Sequence, residues 1–487
     1  METKQYILSP REAYEAQQRW RVVKRSVDAR QRELKVHLTV LTGDDGKPIA
    51  KDAPIPLYDE PLFQDVHQAK RSVVIIGAGP AGLFAALTLL EHGIKPIIFE
   101  RGKEVSERKK DIALLNRNEG LNPESNYCFG EGGAGTFSDG KLFSRSKKRG
   151  NMQRVMELFH YFGAPDTVLY EAHAHIGSDK LPGIIRNMRE CILEHGGEIH
   201  FETCITSLKD VRSTIPIILA IGHSAHDTYR MLAAEGVTLE RKGFAMGVRA
   251  EHPQELINRL MYHSTHVEYV GNASYSLVTQ VAGRGVYSFC MCPGGHIVPA
   301  GSEAGTCVVN GMSASHRNSP FANSGMVVQI NPEDIEGKDP LGGLAYQEAL
   351  ERLAFEHGGP NAQAPAQRMR DFVEGRASKD LPACSYLPGI VPSRLDEWLP
   401  LAIGKRLQQG FRDFDKKYPG FLTNDAVIVG VESRSSSAVR IARDPESLES
   451  ISMPGLYPCG EGAGYAGGIT SSALDGINAA LKIAERL

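Results

Sequence analysis

No two of the chain's eight cysteines (Cys128, Cys191, Cys204, Cys290, Cys292, Cys307, Cys384 and Cys459) form a C-x-x-C pair. That absence excludes the zinc ribbon and the thioredoxin-type disulfide spacing, and reduced thiols are the expectation. Charge of one sign is also lacking. With 55 Lys+Arg against 58 Asp+Glu, the net charge is −3. Nothing in that balance calls for a nucleic-acid partner. The first residues, METKQYILSPREAYEAQQ, have no apolar core behind a basic start, so neither a secretory signal nor a transit peptide is expected. The one long uncharged run, Val73 to Leu90, contains Pro80 and three glycines. They encode a turn where a membrane helix would need continuity. A cytoplasmic location without membrane contact follows as the default, and the oligomeric state stays open.

Glycine, by contrast, is abundant, with fifty residues clustered in a few places. The first cluster lies in RSVVIIGAGPAGLFAALTLLEHGIKPIIFERG, residues 71–102. Val73 to Ile76 reads as a buried parallel strand, and Gly77, Gly79 and Gly82 form G-x-G-x-x-G at its end. Ala81 to Glu91 reads as a helix stopped by Gly93. A second strand, Pro96 to Phe99, ends on Glu100. In such a unit the first glycine permits the tight turn. The second lets backbone approach a pyrophosphate, and the third lets helix and strand pack closely. The helix N-terminus favours the phosphates. Glu100 can accept both ribose hydroxyls and would repel a 2′-phosphate, which favours FAD or NAD over NADP. Strand, turn, helix, strand and acid in one register make this far more specific than the glycines alone.

At 487 residues the chain exceeds one usual core, so two or three domains are expected. Ser9-Pro10-Arg11-Glu12 is a capping box, with a helix expected from there to about Arg30. Leu34, Val36, Leu38 and Val40 then alternate as a half-buried strand. Residues 1–50 therefore form a small N-terminal α+β domain, and 51–69 a linker. Residues 70–224 make the first part of a doubly wound, Rossmann-like α/β domain with a parallel sheet. Within it, Lys180 to His195 has helical spacing, Glu198 to Leu208 is strand-like, and Ile215 to Ile221 is a buried strand ending at Gly222. Residues 225–425 change to short β-like segments, such as Gly285 to Cys292 and Thr306 to Val309, with two or three helices. They read as an inserted mixed α+β substrate domain. Residues 426–487 return to the first domain.

Two further glycine clusters carry chemistry. Phe129 to Thr136, with Gly132, Gly133 and Gly135, is too rich in glycine for a helix, and suits a loop whose backbone touches a cofactor. Gly455 to Leu487 holds a short strand, the loop Gly460-Glu461-Gly462, then Gly467-Gly468 and a helix that Thr470, Ser471 or Ser472 can cap. A helix N-terminus aimed at a ligand stabilises negative charge there, as on the N1/O2 edge of a reduced flavin. A plain NAD dehydrogenase has no need of this second, distant site, so FAD is the expected cofactor.

These ends of the chain resemble the FAD site of glutathione-reductase-like flavoproteins. The resemblance rests on Gly77-Ala78-Gly79-Pro80-Ala81-Gly82, on Glu100, and on the Gly460-Glu461 loop and closing helix. It implies cofactor contacts at Gly77, Gly79, Pro80, Ala81, Gly82, Glu100, Arg101, Gly132, Gly133, Gly135, Ile205, Gly222, Gly460, Glu461, Gly467, Gly468 and Ile469. Glu461 stands where that group usually carries aspartate toward the ribityl chain. Ile221 replaces the threonine of its Ala-Thr-Gly strand end. More closely, Lys24 to Arg30, Gly133 to Leu142, Tyr287 to Gly295, Asn310 to Ser313 and Gly460 to Gly468 resemble a bacterial family known as NAD(FAD)-utilising dehydrogenases, over nearly the whole chain. That resemblance implies FAD binding and leaves the substrate open.

No second strand–G-x-G-x-x-G–helix unit follows residue 102, so NAD(P)H is expected at most as a transient donor. The candidate catalytic residues are Cys290, Cys292, His223 and Lys141. Cys290 and Cys292 would face one side of a strand, to relay electrons or act as nucleophile; packing in a core is the simpler alternative. Lys141 and Arg145 suit a phosphate or carboxylate. His223 and His226 follow the Gly222 strand end as acid–base candidates. Arg434 and Arg440, around Glu432 to Ser437, are candidates to clamp an anionic substrate. His173 and His175 lack ligand partners at suitable spacing, and no metal is expected. The expected function is hydride or electron transfer between flavin and a small-molecule substrate at a domain junction. A flavoprotein acting on RNA, a monooxygenase and an FAD-binding redox sensor without turnover remain the alternatives.

Overall fold

The structure, a computed structural model, describes residues 2–143, 150–211 and 215–487. Arg145, a sequence candidate for anion binding, lies outside the described residues. Among the described residues no helix is long and apolar enough to cross a membrane.

Three sheets carry most of the chain. In the first, Ser9 and Glu12 cap the helix Pro10–Arg19 reciprocally, as the sequence implies. The helix ends at Arg19, well short of Arg30. Val22–Asp28 is instead a strand, paired antiparallel with Lys35–Thr42, whose other edge takes Glu2–Leu8. The β-branched Val22, Val23 and Val27 suit that pairing better than a helix. Along Lys35–Thr42 the expected alternation holds, with Val36, Leu38 and Val40 fully buried.

The second sheet has five parallel strands in the order Leu456–Pro458, Ile217–Leu219, Ser72–Ile76, Lys95–Phe99, Glu198–His200. The last is shorter than the sequence suggests. Past it the chain bends back along Glu100, where Glu202 N–H donates to Gly102 O at 3.0 Å and Thr203 N–H to Glu100 O at 2.9 Å. The helix Pro80–Glu91 is buried from Ala81 to Leu90, which explains its lack of charge. It packs on Ile469–Ala484 and Leu181–Glu194. Each large apolar side chain buried there contributes about 1.5–3 kcal/mol.

The third sheet has seven strands: Val278–Val281, Arg284–Cys292, Phe321–Ile330, Phe244–Pro253, Val427–Glu432, Ala364–Arg368 and Ile390–Pro392. All pairs are antiparallel except the last. Both expected borders of the inserted region therefore move. The helix His226–Ala234 puts Tyr229 and Leu232 into one cluster with Val74, Ile76 and Leu219, so the second sheet's core extends past residue 225. Val427–Glu432 sits mid-sheet between Phe244–Pro253 and Ala364–Arg368, so the chain leaves the third sheet after Glu432 and not at 426. An apolar run of that kind suits either sheet, and only its pairing decides. The expected strand from Thr306 to Val309 lies further on, as Val309–Met312 against His296–Pro299.

Candidate cofactor site and the adjoining thiol cluster

The glycine turn after Ser72–Ile76 divides its labour. Gly77 has φ +105°, and a Cβ there would collide with the Ala220 carbonyl. A Cβ on Gly82 would collide with the Gly77 carbonyl. Those two glycines fix the packing. Gly79 is different: the nearest atom to a Cβ would be Gly133 Cα at 3.8 Å. Gly79 is also the N-cap of Pro80–Glu91 and offers no side chain to its first turn. The open space and the free N–H groups form a cradle that a side chain would fill.

The closing helix Ile469–Ala484 repeats this arrangement. Its N-cap is Gly468 at φ +112°, without a side-chain cap. The expected capping by Thr470, Ser471 or Ser472 does not occur: Thr470 Oγ1 donates to Leu142 O at 2.7 Å, and Ser471 Oγ to Gly468 O at 3.1 Å. A Cβ on Gly467 or Gly468 would meet no atom within 4 Å. The two helices touch where a Cβ on Gly476, about two turns into the closing helix, would collide with the Ala81 carbonyl at the start of the other, so their uncapped ends are offset along one seam. The loop 132–135 bridges them. Gly133 packs on Gly79, and Gly135 on Ile469, at 3.1 and 3.0 Å from where their Cβ atoms would be.

Glu100 is buried, and its carboxylate accepts three backbone N–H bonds: Ala78 at 2.8 Å, Gly102 at 2.9 Å and Gly130 at 3.0 Å. It ties the strand end to both glycine loops, a structural role that the ribose reading does not include. Ile205 is half-buried against the cluster that includes Val74, Ile76 and Leu219. Arg101 departs from expectation as a cofactor ligand. Its guanidinium makes bidentate pairs with Glu124 and Asp227 and covers the Phe129 ring, so its donors are spent on protein.

Sequence reading missed Arg108, which is fully buried and donates to the carbonyls of Asn126, Tyr127, Gly130 and Glu131. It holds the glycine-rich loop from inside, and burial lowers its pKa to about 10. Its place on a charged helix-like segment gave no signal of this.

At the far end, Glu461 and His223 meet, Nδ1 to Oε1 at 3.4 Å. Burial alone would raise the Glu461 carboxyl; the charge and hydrogen bond of His223, with the Gly468 N–H, bring it below its ordinary range. Gly222, just before His223, has nothing within 4 Å of its Cβ position.

Lys141, Cys290 and Cys292, separate in sequence, come together. Lys141 Nζ lies 2.9 Å from Asp139 Oδ2 and 3.7 Å from Cys292 Sγ. Asp139 also holds Arg317 bidentately, at 2.9 and 2.6 Å, so charges from the cofactor-side loop and from the loop leading into Phe321–Ile330 interlock. Arg249 donates to Glu432 at 2.8 Å, to Cys290 O at 2.7 Å and to Cys292 Sγ at 3.6 Å. The two cysteines do not lie on a regular strand: pairing with Phe321–Ile330 shifts register between Phe289 and Cys292, and Cys290 takes φ +45°. For a residue with a Cβ that conformation costs on the order of 1 kcal/mol. Lys141 neighbours Leu142, whose carbonyl Thr470 grips, so one short segment links the second helix end to Cys292.

Arg434 is no anion clamp. It is buried and bidentate to Glu351 at 2.9 and 2.8 Å, while Arg440 leans over the Tyr465 ring. His173 packs on Phe143, and His175 Nε2 sits 3.1 Å from Ser315 O. His226, an acid–base candidate, is buried with Nδ1 3.1 Å from both Glu303 and Glu348. Those three groups have metal-ligand spacing. Arg230, 2.5 Å from the same Glu348 oxygen, already supplies the cation there.

Fold and cradle together define a dinucleotide-binding α/β protein. Residues 70–126 match the family model described as FAD binding domain, and residues 243–435 the one described as FAD-dependent protein, C-terminal domain-like. An uncharacterized protein of Clostridium beijerinckii is 42% identical over 495 residues, covering 96% of this chain and 92% of its own length. The chain belongs to the family of that protein, a family of FAD-binding proteins. Among solved structures, CtdE in complex with FAD is similar at TM-score 0.31 and 10% identity, over 86% of this chain and 84% of that one. A mutant of the halogenase PltM in complex with FAD gives 0.38 and 12%, over 86% and 69%. An oxidoreductase from Methanosarcina mazei gives 0.33 and 12%, over 84% and 99%.

FAD is the cofactor, and the residues present fit it. The open cradle at Gly79 and the uncapped ends at Gly79 and Gly468 offer N–H donors at two separated points, as a molecule with a diphosphate and a distant polar ring edge requires.

Proposed function

We propose that the chain is an FAD-dependent oxidoreductase that moves hydride or electrons between its flavin and a small molecule held between the second and third sheets. Supporting this reading is one observation above all: Thr470, in the first turn of the uncapped helix Ile469–Ala484, holds the Leu142 carbonyl, and the adjacent Lys141 reaches Cys292 on the third sheet. Bound FAD supplies the two-electron chemistry. The chain's own residues supply binding and orientation. The first-turn N–H groups of Pro80–Glu91 hold the diphosphate. Those of Ile469–Ala484 favour negative charge at the other end. Glu461 braces that loop through His223 and Gly468. Lys141, whose side chain is 35% exposed, is the residue proposed to hold a substrate carboxylate or phosphate. A glutathione-reductase-like relationship is supported by the glycine turn and the closing helix alone. The eight free cysteines suit a reducing compartment such as the cytoplasm.

Anaerobic titration with NADH and then NADPH, followed in the flavin absorption bands, tests this. The starting spectrum reports the cofactor. Bleaching by one nucleotide makes nicotinamide the donor. Bleaching by neither, with flavin reducible only by dithionite and silent toward every small-molecule donor tried, would overturn the oxidoreductase reading in favour of a structural flavin.

A further inference from the structure

Cys290 and Cys292 have more around them than packing requires. In a regular strand their Cα atoms would stand about 6.7 Å apart, at the far limit for a disulfide, roughly 6.8 Å. The register shift and the positive φ of Cys290 break that regularity. Cys292 Sγ donates to the Cys290 carbonyl at 3.4 Å, which folds the two residues onto each other. Both are free; Cys292 is buried, with Lys141 Nζ and Arg249 at 3.7 and 3.6 Å from its Sγ, and Cys290 is half-buried and the more accessible of the two.

The charges around the pair do not balance without it. Lys141, Arg249 and Arg317 bring three positive charges; Asp139 and Glu432 oppose them. Burial pushes Glu432 up to about 7, so its negative charge is incomplete at neutral pH. Tyr275, the other titratable group facing the pair, is kept neutral by burial. An anionic sulfur completes the set. The neighbouring Cys292 thiol, with the Lys141 and Arg249 charges, holds the Cys290 thiol well below its ordinary range, against burial and Asp139. Thiolate character of this kind is what makes a cysteine reactive.

We propose that Cys290 and Cys292 are a redox-active dithiol, with Cys290 the attacking thiolate, Cys292 the resolving thiol, and a low-molecular-weight disulfide the reactant. The inference rests on the oxidoreductase reading for its place beside the cofactor, and names a substrate class for that site. Cys290 S⁻ attacks one sulfur of the disulfide. Its S–S bond breaks, one half departs as thiolate, and a mixed disulfide forms at Cys290. The Cys292 thiol gives up its proton and attacks the Cys290 sulfur, expelling the second half. One disulfide and two thiols become one protein disulfide and two small thiol groups, with the proton retained. The dithiol loses two electrons and the reactant gains them. Lys141 and Arg249 are positioning residues.

The test uses the purified full-length holoprotein, with glutathione disulfide as the probe and iodoacetamide as the trap, read by peptide mass spectrometry. The peptide carrying Cys290 and Cys292 should lose two hydrogens. Cys292→Ser should stop at a glutathione adduct on Cys290, and Cys290→Ser should form neither. Iodoacetamide should modify Cys290 at neutral pH at least about tenfold faster than Cys191 or Cys384. Lys141→Met should move the pH midpoint of that reaction upward. Cys290 reacting no faster than Cys191, or an unchanged peptide mass after the probe, would overturn the dithiol. The flavin spectrum of the same sample judges the cofactor reading separately: full flavin with inert thiols removes only the dithiol, while reactive thiols without flavin remove only the cofactor reading.

Discussion

Lys141 Nζ stands 3.7 Å from Cys292 Sγ, so a residue of the cofactor-side loop touches a strand of the third sheet 151 positions away. Asp139 holds the lysine in that place. Its side chain is 1% exposed, and it accepts from Arg317 as well. The contact between the two sheets is therefore charged where the substrate is proposed to bind, and its strength depends on protonation.

Asp139 gives the first expectation. Burial would raise its carboxyl; Lys141 and Arg317 outweigh burial and hold it far below its ordinary 3.8. A carboxyl depressed on folding contributes stability that is present above the unfolded value and lost as pH falls through the folded one. Asp139→Asn should cost about 3 kcal/mol at neutral pH in urea unfolding. That difference from wild type should shrink as the pH is taken below 3.8. A difference independent of pH would contradict the ion-pair account.

Gly79 and Gly82 should separate binding from folding. Gly79→Val has room at the backbone and fills the cradle, so the protein should keep its circular dichroism and lose flavin affinity by at least about tenfold. Gly82→Val drives a side chain into the Gly77 carbonyl and should lower the melting temperature itself. A Gly79→Val protein that purifies with full flavin would remove this turn from the site.

Arg108 is expected to matter for the glycine-rich loop. Arg108→Met keeps the volume and strips the donors from four carbonyls. At about 1–3 kcal/mol for a buried group left unpaired, a loss of about 3 kcal/mol or more is expected, with weaker FAD retention. Wild-type stability and flavin content in this variant would show that water replaces the guanidinium without cost.

His226 titrates with the opposite sign from Asp139. Burial would lower its pKa, but Glu303 and Glu348 outweigh both burial and the repulsion of Arg434, with Glu351 adding to them, so it lies above 6.5. Arg230 faces the same site through Glu348. A histidine raised on folding contributes stability that is fully present below its unfolded pKa and lost as pH rises through the folded one. Denaturant midpoints should fall over that window in the wild type and stay flatter in His226→Gln. Equal slopes in both would mean the imidazole is neutral throughout.

Much of the framework of the candidate cofactor site was legible in the sequence because its rules are local. The strand, turn and helix from Ser72 to Glu91, and the loop and helix from Gly460 onward, follow from chain periodicity and from backbone demands that glycine alone meets. The capping box of Ser9 and Glu12 is equally local, although the far end of its helix was misread because sheet pairing outweighed helical continuation at Val22. The resemblance implied a cofactor contact at Arg101, and its charge made Arg434 a candidate anion clamp; each instead found a carboxylate far away in sequence.

What the sequence determined alone is the class of the first domain and its cofactor, since a diphosphate needs free N–H groups at a helix end and short-range pattern encodes them. Tertiary structure decided the rest. It assigned Val427–Glu432 to the third sheet, turned Glu100 and Arg108 inward to brace the glycine loops, and set Lys141, Asp139, Arg249 and Arg317 around Cys290 and Cys292. Those are contacts between residues tens to hundreds of positions apart. Burial and charge balance fix them only once the sheets have packed.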